Sequence, residues 1–208
     1  MNVMNMLHSG GDRAVHMQAV EIAMGLMLGR DVAEMLLNSP LTDAEMLALM
    51  PPEHRENEAR MHAVWCVRKI RILFPEQHRG TLDRCLLTAW RHARGRASED
   101  ELDRACDEAY RVHEDVDLLY DDADEEYRRL ADMTRDAVYA ARCAMDTPEN
   151  TPAAAVDATG SLPFVLDIMD PDHPIAPKYY SELLKRHLVE KQRARLVSRI
   201  CSVNHWSG

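Results

Sequence analysis

Between Ala97 and Asp146 the chain has neither glycine nor proline, and that stretch constrains everything around it. The residues that turn or break a backbone are missing over a length that strands and loops could not cross without them. Within it, apolar residues stand at 102, 105, 109, 112, 116, 119 and 123, then at 130, 133, 137, 140 and 144. The steps alternate three and four, which places side chains on one face of an α-helix, with an interruption at Glu126. "SEDE" supplies the start, with Ser98 as N-cap and Glu101 closing a capping box. The spacing predicts a spine helix over about 99–144, roughly 69 Å long at about 1.5 Å per residue. Two shorter helices broken near the "DDADEE" cluster are the alternative.

The remaining segments are helical too. With aromatic residues at only 5%, alanine, leucine and methionine must fill most of the interior, which favours helix over sheet. A first helix is expected over 13–37, with Asp12 as N-cap and Gly25 and Gly29 allowing a close helix approach. "TDAE" forms a second capping box, Thr42 with Glu45, opening a short helix to about Met50. Ala59, Ala63, Cys66, Val67, Ile70, Leu73 and Phe74 share one helical face over 53–74, closed by Pro75. Leu82, Cys85, Leu86, Ala89, Trp90 and Ala93 repeat the pattern over 82–94, and Gly95 suits the residue after a helix end. Residues 147–177 hold six of the ten prolines, and a basic helix is expected over 178–201.

Charge is segregated along this framework. The chain carries a net −10. From Glu99 to Glu126 there are fourteen acids and two bases, a balance of −12. Residues 60–96 sum to +7 and the last helix to +5. If Val112, Val116, Leu119 and Ala123 face the core, then Glu114, Asp117, Asp121 and Asp124 lie nearly opposite, with Glu125 beside them. That carboxylate ridge has three readings. It is a solvated face partly neutralised by the chain's own basic helices, or a binding surface for a basic partner, or a metal or catalytic site.

Catalytic chemistry finds little support. Di-iron bundles use Glu-x-x-His pairs, and no Glu here stands three before a His. There is no HExxH, no GxSxG and no glycine-rich phosphate loop. Glu58 and His62 are one helical turn apart, with His54 and Glu56 upstream, and read as a polar surface face. The five cysteines form no CxxC pair and read as free thiols of a reducing compartment. No catalytic residue, metal or cofactor is assigned. Nucleic-acid binding is disfavoured by the net acidity and by the lack of stacking aromatics in the basic helix. The longest apolar run, "IAMGLMLG", is far short of a membrane span of about 20 residues. Ten of the thirteen methionines lie in the first 61 residues. They are core filling or an adaptable docking surface.

Three segments carry a resemblance: "WCVRKIRIL", "ARGRASEDELDRACDEA" and "EKQRARLVSRI". In order and character they resemble a loose group of all-helical, often alanine-rich bacterial and phage proteins. Part of that group resembles immunity proteins of bacterial toxin systems. The resemblance implies a binding protein from a mobile element or conflict system, and brings no catalytic motif. This chain departs from the group in its acidic long helix and its Met-rich N-terminal third.

The expected fold is an all-α bundle of five or six helices in one domain, residues 1–208. Its parts are a main bundle over 13–145, a proline-rich connection over 146–177 and the basic helix over 178–201. The expected function is to bind, and restrain, a basic protein in the cytoplasm through Glu114, Asp117, Asp121, Asp124 and Glu125. An all-helical metal-dependent hydrolase and a structural, homo-oligomeric protein are the rivals.

Overall fold

The computed structural model describes residues 31–121, 125–146 and 177–204. These form seven α-helices and one 3-10 turn, with no strand among the described residues. The helices are α1 Val32–Leu37, α2 Asp43–Leu47, α3 Pro52–Val67, α4 Glu76–His92, α5 Glu99–Tyr120, α6 Glu125–Cys143 and α7 Pro177–Asn204, with the 3-10 turn at Arg71–Leu73. The all-α expectation holds. The chain divides into two compact units, one of Met1–Glu58 with Glu190–Gly208, the other of Ala59–Val189.

In the second unit, α4 packs on α5 and α5 on α6, while the 3-10 turn also meets α6. Its core joins Ala63, Val67, Ile70 and Phe74 to Leu82, Cys85, Leu86 and Ala89. Leu102, Ala109, Val112, Val116, Ala137, Ala141 and Met145 complete it. The caps act as the sequence indicates. Ser98 Oγ accepts from the Glu101 N–H at 3.2 Å while the Glu101 carboxylate accepts from the Ser98 N–H at 2.8 Å. That backbone bond holds the Glu101 carboxyl below its usual range. At the end of α4, Gly95 takes φ +66. The Arg96 N–H reaches the Arg91 carbonyl and the Gly95 N–H that of His92, both at 2.8 Å. This paired bonding is the Schellman closure that a left-handed glycine permits.

A single 99–144 helix is overturned. α5 and α6 are separate helices packed on one another. Arg135 Nη2 donates to the Asp117 carbonyl at 3.1 Å, whereas along one straight helix those residues would be about 27 Å apart. The same steps of three and four recur on both helices in opposite senses: Arg142 over Tyr110, His113 against Tyr139, Arg135 at Asp117. Two antiparallel helices, each with an apolar stripe, reproduce the periodicity of one long helix. The break falls between Tyr120, which ends α5, and Glu125, which opens α6, just ahead of the interruption at Glu126.

Two boundaries also move. Asp31 has φ −69 and ψ 109 and accepts from the N–H groups of Ala33 and Glu34. It starts a new helix at Val32, so 13–37 is not one continuous helix. The expected Asp12 cap and the Gly25 and Gly29 approach lie outside the described residues. The 53–74 stripe is buried as expected, but α3 ends at Val67. The chain then tightens through Lys69→Cys66 and Ile70→Val67 bonds into the 3-10 turn, which keeps Ile70, Leu73 and Phe74 inward.

In the first unit, Thr42 and Glu45 form the expected capping box, with the Thr42 N–H to the Glu45 carboxylate at 2.7 Å. Val32, Leu36, Leu41, Met46, Leu47, Leu49, Met50, Leu196, Val197 and Ile200 are among its buried apolar residues. Arg193 of α7 donates to the carbonyls of Leu36 and Leu37 at 3.1 Å, of Leu41 at 2.9 Å, and of Ser39. One guanidinium thereby satisfies the carbonyls left open where α1 ends. The Arg199 guanidinium forms a two-point pair with the Glu58 carboxylate.

Candidate functional site

The ridge begins on α5, which is amphipathic because Leu102, Ala105, Ala109, Val112 and Val116 all point inward. Glu114 is exposed on the other side. Asp117 is half-exposed; Arg135 Nε of α6 lies 3.7 Å from its Oδ1, and His113 Nδ1, one turn back on α5 itself, lies 3.6 Å from its Oδ2. Asp121, whose side chain is 85% exposed, has Arg135 Nη2 at 3.8 Å from its Oδ1. Asp124 lies outside the described residues. Glu125 opens α6, but its side chain is also outside them.

Among the described residues, Arg135 of α6 places positive charge at Asp117 and Asp121. The basic stretch 60–96 meets the acidic helix upstream of the ridge, through Arg84 to Glu108 at 3.3 Å and His92 to Glu99 at 2.8 Å. In α7, Arg193 and Arg199 are bound to backbone and carboxylate groups of the first unit. Arg135, from the helix paired with α5, is what neutralises Asp117 and Asp121.

Two apolar positions of the expected stripe are corrected: Leu130 on α6 is 40% exposed, and Leu119 also lies outward. Leu119 was expected in the core stripe, yet it is 59% exposed, and Leu118 is 79% exposed. After Val116 the stripe advances by four to Tyr120, which packs against the core, so Leu119 rotates outward. The two leucines, His78 from the first turn of α4 and Asp115 line an open depression of about 350 Å³. Helical spacing sets Leu118 between Glu114 and Asp115 on one turn and Asp121 on the next. Sequence reasoning missed His78, Asp115 and Leu118. The available signal was Leu118 itself, an apolar residue off the stripe in a stretch otherwise rich in acids.

The Glu58–His62 segment is not the polar surface expected of it. Glu58, Arg60 and His62 are all buried, as is most of α3 from Glu58 to Val67, whereas its first turn is exposed. Glu58 pairs with Arg199, Arg60 donates to the Asp146 carbonyl at 3.0 Å, and His62 Nε2 lies 3.7 Å from Cys66 Sγ. His54 and Glu56 are exposed. Among the described residues, no three His, Cys, Asp or Glu side chains converge as a metal-holding group. All five cysteines are free, with Cys66, Cys85 and Cys143 buried. Burial, then the nearby Glu108 carboxylate, pushes the Cys85 thiol up to about 12. Burial also raises Cys106 and Cys201. A raised thiol is a poor nucleophile at neutral pH.

Among the described residues no helix is long and apolar enough to cross a membrane. Compared with known protein families, characterised proteins and solved structures, the chain matches none.

Proposed function

We propose that this protein binds a basic protein partner through the C-terminal part of α5 and restrains it in the cytoplasm, in the manner of an immunity protein or inhibitor. The observation that carries the reading is a local conflict. Leu118 and Leu119 are exposed in the midst of Glu114, Asp115, Asp117 and Asp121. The carboxylates sit towards a helix C-terminus, where negative charge is unfavourable, and no base occupies the last turn of α5. Asp117 and Asp121, four apart, repel each other by a few tenths of a kcal/mol. Apolar exposure and misplaced charge both cost stability, and such departures from local rules are expected where a surface serves a partner. Complementary charge would speed encounter with a cationic protein and disfavour acidic ones.

The test is capture from a lysate of the source cell at low salt, using the full chain and its Glu114→Gln/Asp121→Asn variant. A basic protein retained by the parent, lost from the variant and released by added salt supports the reading. Equal capture by both, or a partner held independently of salt, would overturn it.

A further inference from the structure

We infer that the depression lined by His78, Asp115, Leu118 and Leu119 is the anchor point for an amphipathic helix of the partner, bearing lysine or arginine along the edges of its apolar face. This rests on the reading above that the partner is basic, and adds the form it presents. The depression lies where the first turn of α4 meets the last turns of α5. A seam between packed helices offers a groove in which a third helix can lay its ridge of side chains. Leu118 and Leu119 provide the apolar floor and are the most exposed large apolar residues described in the chain. Apolar contact at the centre of an interface, ringed by polar groups, is where binding energy concentrates. Here the ring is Glu114, Asp115 and Asp121, all exposed.

The charge of that ring selects among occupants. A second copy of this chain would set the same carboxylates against each other, in a molecule of net charge −10. An anionic membrane surface or a nucleic-acid backbone would be repelled likewise. A small ligand would find few polar groups to orient it in a depression near the lower limit of about 300 Å³ for ligand pockets. A cationic amphipathic helix satisfies both the leucines and the ring.

Three synthetic peptides test this against the full chain by fluorescence anisotropy: an amphipathic Leu/Lys helix, the same composition scrambled, and a Leu/Glu counterpart. The amphipathic Leu/Lys peptide is expected to bind most tightly. Leu118→Ser/Leu119→Ser should weaken it about tenfold or more, as loss of a central anchor does, with little effect on the scrambled peptide. Both leucines are exposed, so the melting temperature should hold, and the milder Leu118→Ala should show the same trend. Glu114→Gln/Asp121→Asn should weaken both Leu/Lys peptides and flatten their salt dependence. If the acid variant weakens binding while the leucine variants do not, the anchor is overturned and the basic-partner reading stands. If the Leu/Glu peptide binds equally well, or neither variant changes binding, both fall. If sedimentation shows a self-associated species that the leucine variant dissolves, the occupant is a second copy and the inference is overturned.

Discussion

Arg135 donates to the backbone carbonyl of Asp117 across eighteen positions of chain, at 3.1 Å. The same guanidinium stands near the carboxylates of Asp117, Asp121 and Asp132. It ties α6 to α5 and supplies positive charge beside Asp117 and Asp121. Arg135→Gln is expected to lower stability by about 1 kcal/mol, since the contacts are long and partly solvated. Urea denaturation measures this. The loss should shrink in an Asp117→Asn background; an unchanged loss would mean that Arg135 acts through packing alone.

The hairpin makes neighbouring apolar residues unequal. Val116 is fully buried, whereas Leu119 is exposed. Val116→Asp should destabilise by about 3–5 kcal/mol, because it buries an unpaired charge. Leu119→Asp should stay within about 0.5 kcal/mol of the parent. Thermal melts of the two variants decide the point, and similar melting temperatures would contradict the α5 packing.

Arg193→Lys tests the brace at the end of α1. A lysine has three donors on one point, whereas the arginine fork spreads its donors over four carbonyls. Even this charge-preserving change should cost about 1 kcal/mol, as exposed and partly buried carbonyls lose their partners. Hydrogen exchange should report it at α1 and the 38–41 turn, while the amides of α4 and α5 keep their protection.

The Cys85 thiol gives a pH dependence with a definite sign. Its Sγ donates to Glu108 Oε2 at 3.7 Å, and burial raises it from 9.0 to about 12. The folded state keeps this proton at pH values where the unfolded chain has lost it. The contribution is complete below about pH 9 and falls as pH rises towards 12. Unfolding free energy should therefore drop more steeply above about pH 9 in the parent than in Cys85→Ala. At about pH 8, a thiol reagent should label the half-buried Cys106 and Cys201 well before Cys85.

What could be read without coordinates was local. The capping boxes Ser98–Glu101 and Thr42–Glu45 and the glycine at 95 depend on neighbours within a few residues, and each sits where its chemistry placed it. The stripes of α3, α4 and α5 were legible because burial imposes helical spacing directly. What escaped was long-range. An antiparallel pair and a continuous helix share one periodicity, so the pattern through 102–144 could not choose between them. The acids at 114, 117 and 121 were legible as a ridge, but the partner of Asp117 and Asp121 was not, because Arg135 meets those two only after the chain reverses. Leu118 escaped for the opposite reason: a stripe argument looks for apolar residues that fit and passes over one that does not. Burial of Glu58 and His62 was hidden because polar residues carry no hydrophobic signal, and only the arrival of Arg199 or the nearness of Cys66 accounts for them.

The first unit draws on both sides of the second along the chain, and this sets an order in time. A ribosome completes Ala59–Val189 before it makes any residue from Glu190 onward. The second unit can therefore begin to fold while the carbonyls of Leu36, Leu37 and Ser39 and the carboxylate of Glu58 still await their guanidinium partners. The bond from Arg193 to Leu36 spans 157 positions, a separation that slows closure far more than it weakens the closed state. For that interval these groups have only water as their partner, and the first unit cannot close until its last segment emerges.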